Sequence, residues 1–347
     1  MQLSLKRSAL GICIVFLLAS CSNSNDTVSP VGHNSGNIPP VSGEWPLGIS
    51  SDLTARPTIY QPSDNWWNLN VSSAPVDPNS ATIISRIKSF ESTGGRLHPD
   101  FTPNYGIPYC VVSGDTPLVP VDFSYASESD KGAPGRPSGY PIPAAAKTNP
   151  YYLENAGGSD GDRHMLIIDR DNMLLFELSY ANWNGSQWTA GAGAVFDLMK
   201  NGRRPEGYTS TDAAGLAVLP GLVRPDEAFG SEPIRHALRC SLKQINGYVW
   251  PASHIGSTDA GAPPLGMRLR LKKSVDISGY TPEVQRIFQA MKTYGLIVAD
   301  RGGNMYVQGV MDSRWDNSVL NPAFHSLHVT DFDIIQLGWG KSLTTVD

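Results

Sequence analysis

Residues 162–179, DRHMLIIDRDNMLLFELS, constrain the fold more tightly than any other stretch of this 347-residue chain. Two greasy runs flank Asp171-Asn172, a dipeptide suited to a tight turn, and the segment predicts one β-hairpin. With a turn symmetric about that dipeptide, position 164 pairs with 179 and 166 with 177, and Asp162, His164 and Glu177 share a face. A turn with an odd number of residues would send Glu177 to the opposite face. His164 and Glu177 are then diagonal neighbours with Cβ atoms about 7–8 Å apart, close enough to meet or to converge on one small group. Asp162 lies on the order of 13 Å from the level of Glu177 at about 3.3 Å per residue. That exceeds the roughly 5–9.5 Å between the paired carboxylates of glycoside hydrolysis, so Asp162 is expected to orient His164 instead.

Strands are also expected at 109–112, 118–123, 194–198, 234–242, 247–250 and 267–271, with a second hairpin joining 296–300 to 305–308 around Gly302-Gly303. Two helices stand out. Asp77-Pro78 opens one carrying Ile83, Ile84, Ile87 and Phe90 and closed by Gly94-Gly95; Thr281-Pro282-Glu283 opens another carrying Val284, Ile287, Phe288 and Met291 and closed by Gly295. Many short strands, with 34 Gly and 27 Pro to turn them, point to a mainly β fold: an antiparallel β-sandwich or jelly roll with a few peripheral α-helices.

At the N-terminus, Lys6 and Arg7 precede an apolar run at 9–19 that is too short to span a bilayer and has the layout of an export signal. The run ends in Leu18-Ala19-Ser20-Cys21, which resembles the lipobox of bacterial lipoproteins. The resemblance implies a signal peptide over 1–20 and lipidation of Cys21. Ser22 after the cysteine implies sorting to the outer membrane, facing the periplasm or the cell surface. Residues 21–44, rich in Ser, Asn, Gly and Pro, read as a flexible tether, and 45–347 as a single β-rich domain. A formal charge of −5 and a pI near 5.8 provide no basic field for nucleic acid. Cys110 and Cys240 remain as an exported pair that could form a disulfide or simply be buried. Oligomeric state is not legible.

Beyond the hairpin, ionisable residues gather in a few places. His236 shares a strand face with Leu238 and Cys240, while Arg235 and Arg239 point the other way. His254 follows Trp250-Pro251 at a strand end, where loops place functional groups. In the segment TSTDAAGLAVLPGLVR, Asp212 reads first as a turn cap and second as an acid whose pKa an apolar setting would raise. Asp300-Arg301 supplies a further acid and cation. The chain has no HExxH, CxxC or Walker-type loop, which disfavours zincins and nucleotide enzymes. No cofactor is expected, although a structural or catalytic divalent cation on His164, Glu177, His236 and His254 is conceivable.

The strings DNWWN, GDRHMLIIDRDN, TSTDAAGLAVLPGLVR, IRHALR, YVWPASH and MKTYGLIVAD together resemble a family of secreted bacterial hypothetical proteins. The resemblance covers Asp64 to about Trp315; it implies one continuous domain and no catalytic assignment. Export, a β-rich domain, eight Trp and 13 Tyr and ionisable residues on sheet faces lead to the expectation of a surface-tethered enzyme that degrades polysaccharide. As a glycoside hydrolase it would use Glu177 with Asp212 or Asp300 as a carboxylate pair, tuned by His164. As a polysaccharide lyase on a uronate glycan it would use His164 or His236 as base, Tyr208 or Tyr294 as donor, and Arg235 or Arg301 on the carboxylate, with Trp250 lining the site. A noncatalytic carbohydrate-binding or adhesion lipoprotein is the third reading.

Overall fold

The hairpin forms in the expected register. β4 (Met165–Asp169) and β5 (Leu174–Leu178) pair antiparallel with Leu166 opposite Glu177, around a turn at residues 170–173. Asp169 holds the turn by accepting hydrogen bonds from the Asn172 amide and side chain, and it also receives Arg136. The even turn keeps Glu177 on the face of His164. Beyond β4 the alternation breaks: Arg163 and Tyr180 have φ of 49° and 51°. These left-handed residues interrupt the alternation of faces, which is why simple alternation does not place Asp162.

The chain is known here from a computed structural model that describes residues 59–60, 62–101, 105–157 and 161–346. The expected signal peptide, Cys21 and the tether lie outside the described residues. Among those described, thirteen strands form three sheets. The first has six strands in the order β1 (His98–Asp100), β12 (Tyr306–Gln308), β9 (Leu238–Leu242), β11 (Leu296–Arg301), β10 (Arg268–Leu271), β13 (Phe332–Ile334). The second runs β2 (Tyr109–Val112), β4, β5, β8 (Gly193–Asp197), and the third β3 (Val121–Phe123), β7 (Trp188–Ala190), β6 (Asn182–Trp183). The fold is thus β-rich. Its sheets are mixed instead of wholly antiparallel, because β1–β12, β9–β11, β2–β4 and β3–β7 pair in parallel.

The expected second hairpin does not form. β11 and β12 both exist, but β9 inserts between them, parallel to one and antiparallel to the other. Residues 247–250 are turn and bridge, not strand. α1 (Ser80–Lys88) starts after Asn79, with Asp77 two residues before that cap accepting from the Asn79 and Leu337 amides. α3 (Pro282–Thr293) matches its expected limits and buries Val284, Ile287, Phe288 and Met291. Two helices escaped the sequence reading: α2 (Pro225–Ala228), and α4 (Asn317–His325), which carries Pro322 internally and is capped by Asp316.

Two features position the functional region. On β11 an extra residue, Ala299, breaks the register, so that Val298 lies opposite Cys240 and Asp300 opposite Ser241. Regular pairing would have turned Asp300 away from the Arg239 side of the sheet; the bulge brings it there. A turn of 3-10 helix at Leu219–Gly221 packs on β9 at its closest through Gly221. A Cβ at this glycine would lie 2.6 Å from the Trp67 ring and 2.9 Å from Arg239 Cβ. Gly221→Ala is therefore expected to lower stability by about 1–3 kcal/mol through overpacking, seen as a lower urea midpoint with an unchanged slope.

Candidate active site

Arg239 lies at the centre of the six-stranded sheet, fully buried. Its guanidinium donates to the Gln308 side chain and to Asp212 Oδ2 (3.4 Å), and lies 3.5 Å from Asp300 Oδ2. The β1–β12 register adds Asp100, directly opposite Gln308 on the same sheet face. Burial pushes the Asp100 carboxyl up to about 7, helped by the charge of Glu154 and opposed by Arg239. Burial likewise raises Asp212, helped by the charge of Glu177, and Asp300, helped by the charge of Asp212, while Arg239 offsets the effect at both. Asp300 also feels Asp162 and keeps 17 % of its side chain exposed. Asp162 is partly exposed and accepts from the Tyr180 hydroxyl at 2.8 Å.

The hairpin reaches this cluster through the loop at 209–219. His164 Nε2 lies 2.9 Å from the Thr211 carbonyl, and the Thr211 hydroxyl donates to Glu177 Oε2 at 2.9 Å. The next residue, Asp212, meets Arg239, and the following Ala213 carbonyl lies 3.0 Å from His254 Nδ1. Three consecutive residues are thus held by three different parts of the chain. Asp212 Oδ1 also accepts from the Ala214 and Leu216 amides, so it is a turn cap and a charge partner at once. Glu177 accepts from the Val218 and Leu219 amides, has no exposed surface, and is raised by burial against those bonds. It serves here as an anchor for the loop.

His164 is oriented by Glu154 and not by Asp162: Nδ1 lies 2.8 Å from Glu154 Oε2, which also accepts from the His164 amide. Burial pulls the imidazole pKa down, but the charge and hydrogen bond of Glu154, the charge of Asp162 and the Thr211 carbonyl outweigh it and lift the value to about 10. Glu154 is lowered: burial works against it, and His164 prevails. With an acceptor at each ring nitrogen, His164 is held as a doubly donating imidazolium.

Other expected residues lie apart from this cluster. His236 is buried between the Ala237 carbonyl and Glu227 Oε2. Glu227 also lies 2.6 Å from Arg224, whose guanidinium is fully buried and is an ionic neighbour without hydrogen-bonding angles. Arg235 is exposed beside Glu232, and Arg301 pairs with Asp259. Tyr208 is exposed on its loop, Tyr294 is half-buried at the end of α3, and Trp250 packs edge-on against Trp66. The proposed cation set does not converge: His236 is elsewhere, and no group of three or more His, Cys, Asp or Glu among the described residues is placed to hold a metal ion. Cys110 and Cys240 are separate buried thiols. A polar concavity of about 450 Å³ lined by Ser72, Arg270, Lys272 and Asp333 contains none of Asp100, Asp162, Asp212 and Asp300. Its Arg270 and Lys272 already donate to backbone carbonyls.

Glu154, Asp100, Arg239, Gln308 and Tyr180 were not among the expected site residues. One local signal accompanies them: of five described non-glycine residues with positive φ, Asn155, Arg163 and Tyr180 flank the cluster, and such strain concentrates at functional sites. In comparison with known proteins, no family model, no curated relative and no solved structure matches the chain.

Removing the Glu177 carboxylate strands the Thr211 hydroxyl and two backbone amides. Glu177→Ala should cost about 1–3 kcal/mol for each donor left dry, measured by urea unfolding. The His164–Glu154 pair also predicts a pH signature. The raised imidazole contributes stability that is complete below its unfolded value of 6.5 and is lost as pH climbs towards about 10. Glu154 contributes stability present above 4.5 and lost as pH falls through its lowered folded value. In His164→Gln, a melting-temperature profile should lose the alkaline decline assigned to this pair.

Proposed function

We propose that the chain is a glycan-cleaving hydrolase in which Asp300 protonates the leaving glycosidic oxygen and Asp162 serves as nucleophile or general base. The observation that carries this is Asp300 itself: a partly open carboxyl, raised by burial and by Asp162 and Asp212, that can hold a proton near neutrality. Tyr180 donates to Asp162 and fixes the orientation of its carboxylate. Arg239, held from behind by Asp212 and Gln308, steadies Asp300 when the proton leaves. His164, Glu154 and Glu177 act one step back, fixing the loop that carries Asp212.

The lyase reading asks a histidine to take a proton, and both ring nitrogens of His164 and of His236 already face oxygen acceptors. That favours hydrolysis over elimination. A noncatalytic glycan binder would need no cluster of raised acids. We further propose that the three sheets stack as a sandwich, supported by one hydrophobic cluster that includes Leu238, Leu175 and Trp188 from each of them. The Leu18-Ala19-Ser20-Cys21 string supports a lipid anchor at the outer membrane; labelled palmitate should be incorporated into the chain and lost in Cys21→Ser.

The test is a polysaccharide panel. New reducing ends without ultraviolet absorbance from unsaturated products are expected, and Asp300→Asn should lower kcat/KM by about 10²–10⁴-fold. Activity should fall as pH rises through about 7, where Asp300 loses its proton. Unsaturated products would instead identify a lyase, and folded protein that cleaves nothing would favour the binder.

A further inference from the structure

We infer that Tyr125 and Tyr180 form a stacking platform for an uncharged sugar ring immediately beside Asp162, making them a substrate subsite; this rests on the hydrolase reading of the neighbouring acids. Both tyrosines expose about half of their surface, 47 % and 51 %. Single exposed aromatics are ordinary, but these two are pinned to the same point of backbone. The Tyr125 amide donates to the Gly191 carbonyl at 2.9 Å, and the Gly191 amide donates to the Ser179 carbonyl at 2.8 Å, one residue before Tyr180. The Tyr180 ring lies over Gly191 so closely that a Cβ there would sit 2.7 Å from its Cδ2. Its hydroxyl is fixed on Asp162, and its backbone is held in the left-handed region. A ring fixed at three points and still open to solvent loses little freedom when a ligand stacks on it. Tyr125 and Asp300 both bear on the ionisation of the Tyr180 hydroxyl, which supports their closeness.

The surrounding charge selects the ligand. Asp162 and Asp300 line this side, and the Arg239 guanidinium is buried among Asp212, Asp300 and Gln308. A uronate or sulfated sugar would meet carboxylates there, whereas a neutral ring offers C–H faces to the tyrosines and hydroxyls to the acids.

Binding can be measured apart from cleavage in the Asp300→Asn variant, titrated calorimetrically with neutral oligosaccharides (gluco-, xylo-, manno- and arabino-series) and with oligouronates. Neutral oligosaccharides should bind, and adding Tyr125→Ala or Tyr180→Ala should weaken the dissociation constant about tenfold or more. Tyr180→Phe, which keeps the ring and loses the bond to Asp162, should bind close to its parent, and melting curves should show all variants folded. Undiminished binding in both alanine variants, preference for oligouronates, or no binding of any neutral glycan would each overturn the platform. If the native chain cleaves nothing while binding still depends on both tyrosines, the hydrolase reading fails and the platform stands. If it cleaves a neutral glycan with KM unmoved by Tyr125→Ala, the platform fails alone.

Discussion

The buried guanidinium of Arg239 is the constraint around which the central region is built. A cation inside a six-stranded sheet costs several kcal/mol of lost hydration unless anions and acceptors surround it, and here Asp212, Asp300 and Gln308 do so. Each arrives by a different device. Asp212 comes on a loop whose own amides it caps, Gln308 comes from the neighbouring strand β12, and Asp300 arrives because a bulge at Ala299 turns it to the correct face. More carboxyls gather than one cation can neutralise. Burial raises Asp100, Asp212 and Asp300 and Arg239 offsets this only in part, so the surroundings that bury Arg239 also produce groups able to exchange protons near neutrality.

The loop at 209–219 joins this cluster to the hairpin. Its residues Thr211, Asp212 and Ala213 are gripped by the hairpin, by β9 and by His254 in turn, and its amides at Val218 and Leu219 end on Glu177. A loop held so tightly behaves as part of the scaffold. Its anchors lie on two separate sheets, so His164 and Glu177 can influence the acids near Arg239 without touching a ligand. This arrangement answers the requirement that two ionisable groups in apolar strands be paired or solvated.

How much of this was legible follows from how local each interaction is. The β4–β5 register was readable because alternation and a two-residue turn signal lie within one segment, and α3 because its capping proline, apolar stripe and closing Gly295 are contiguous. The pairing of β9 with β11 and β12 joins segments more than fifty residues apart, and a plausible Gly-Gly turn pointed instead to a hairpin. Arg239 was hidden for a related reason: both faces of β9 are buried, so alternation that normally sends one side to water no longer distinguishes them. Glu154 sits in a short 3-10 turn without periodicity, and only the folded chain brings it to His164.

The carboxyls of this region are driven in opposite directions, and that separation is what acid–base chemistry requires. Glu154 faces an imidazolium whose other ring nitrogen meets the Thr211 carbonyl, so its negative form is stabilised despite burial. Asp300 is buried beside a guanidinium already shared with Asp212, and the charges of Asp162 and Asp212 add to burial, so its neutral form gains. The difference is one of contact: beside the hairpin Glu154 hydrogen-bonds its cation directly, whereas beside the sheet Asp212 and Asp300 share one guanidinium. Exposure then decides which raised acid can work on a ligand. Asp212 is sealed beneath its loop, whereas Asp300 reaches the surface next to Asp162, at the end of the cluster where Tyr180 stands open to solvent.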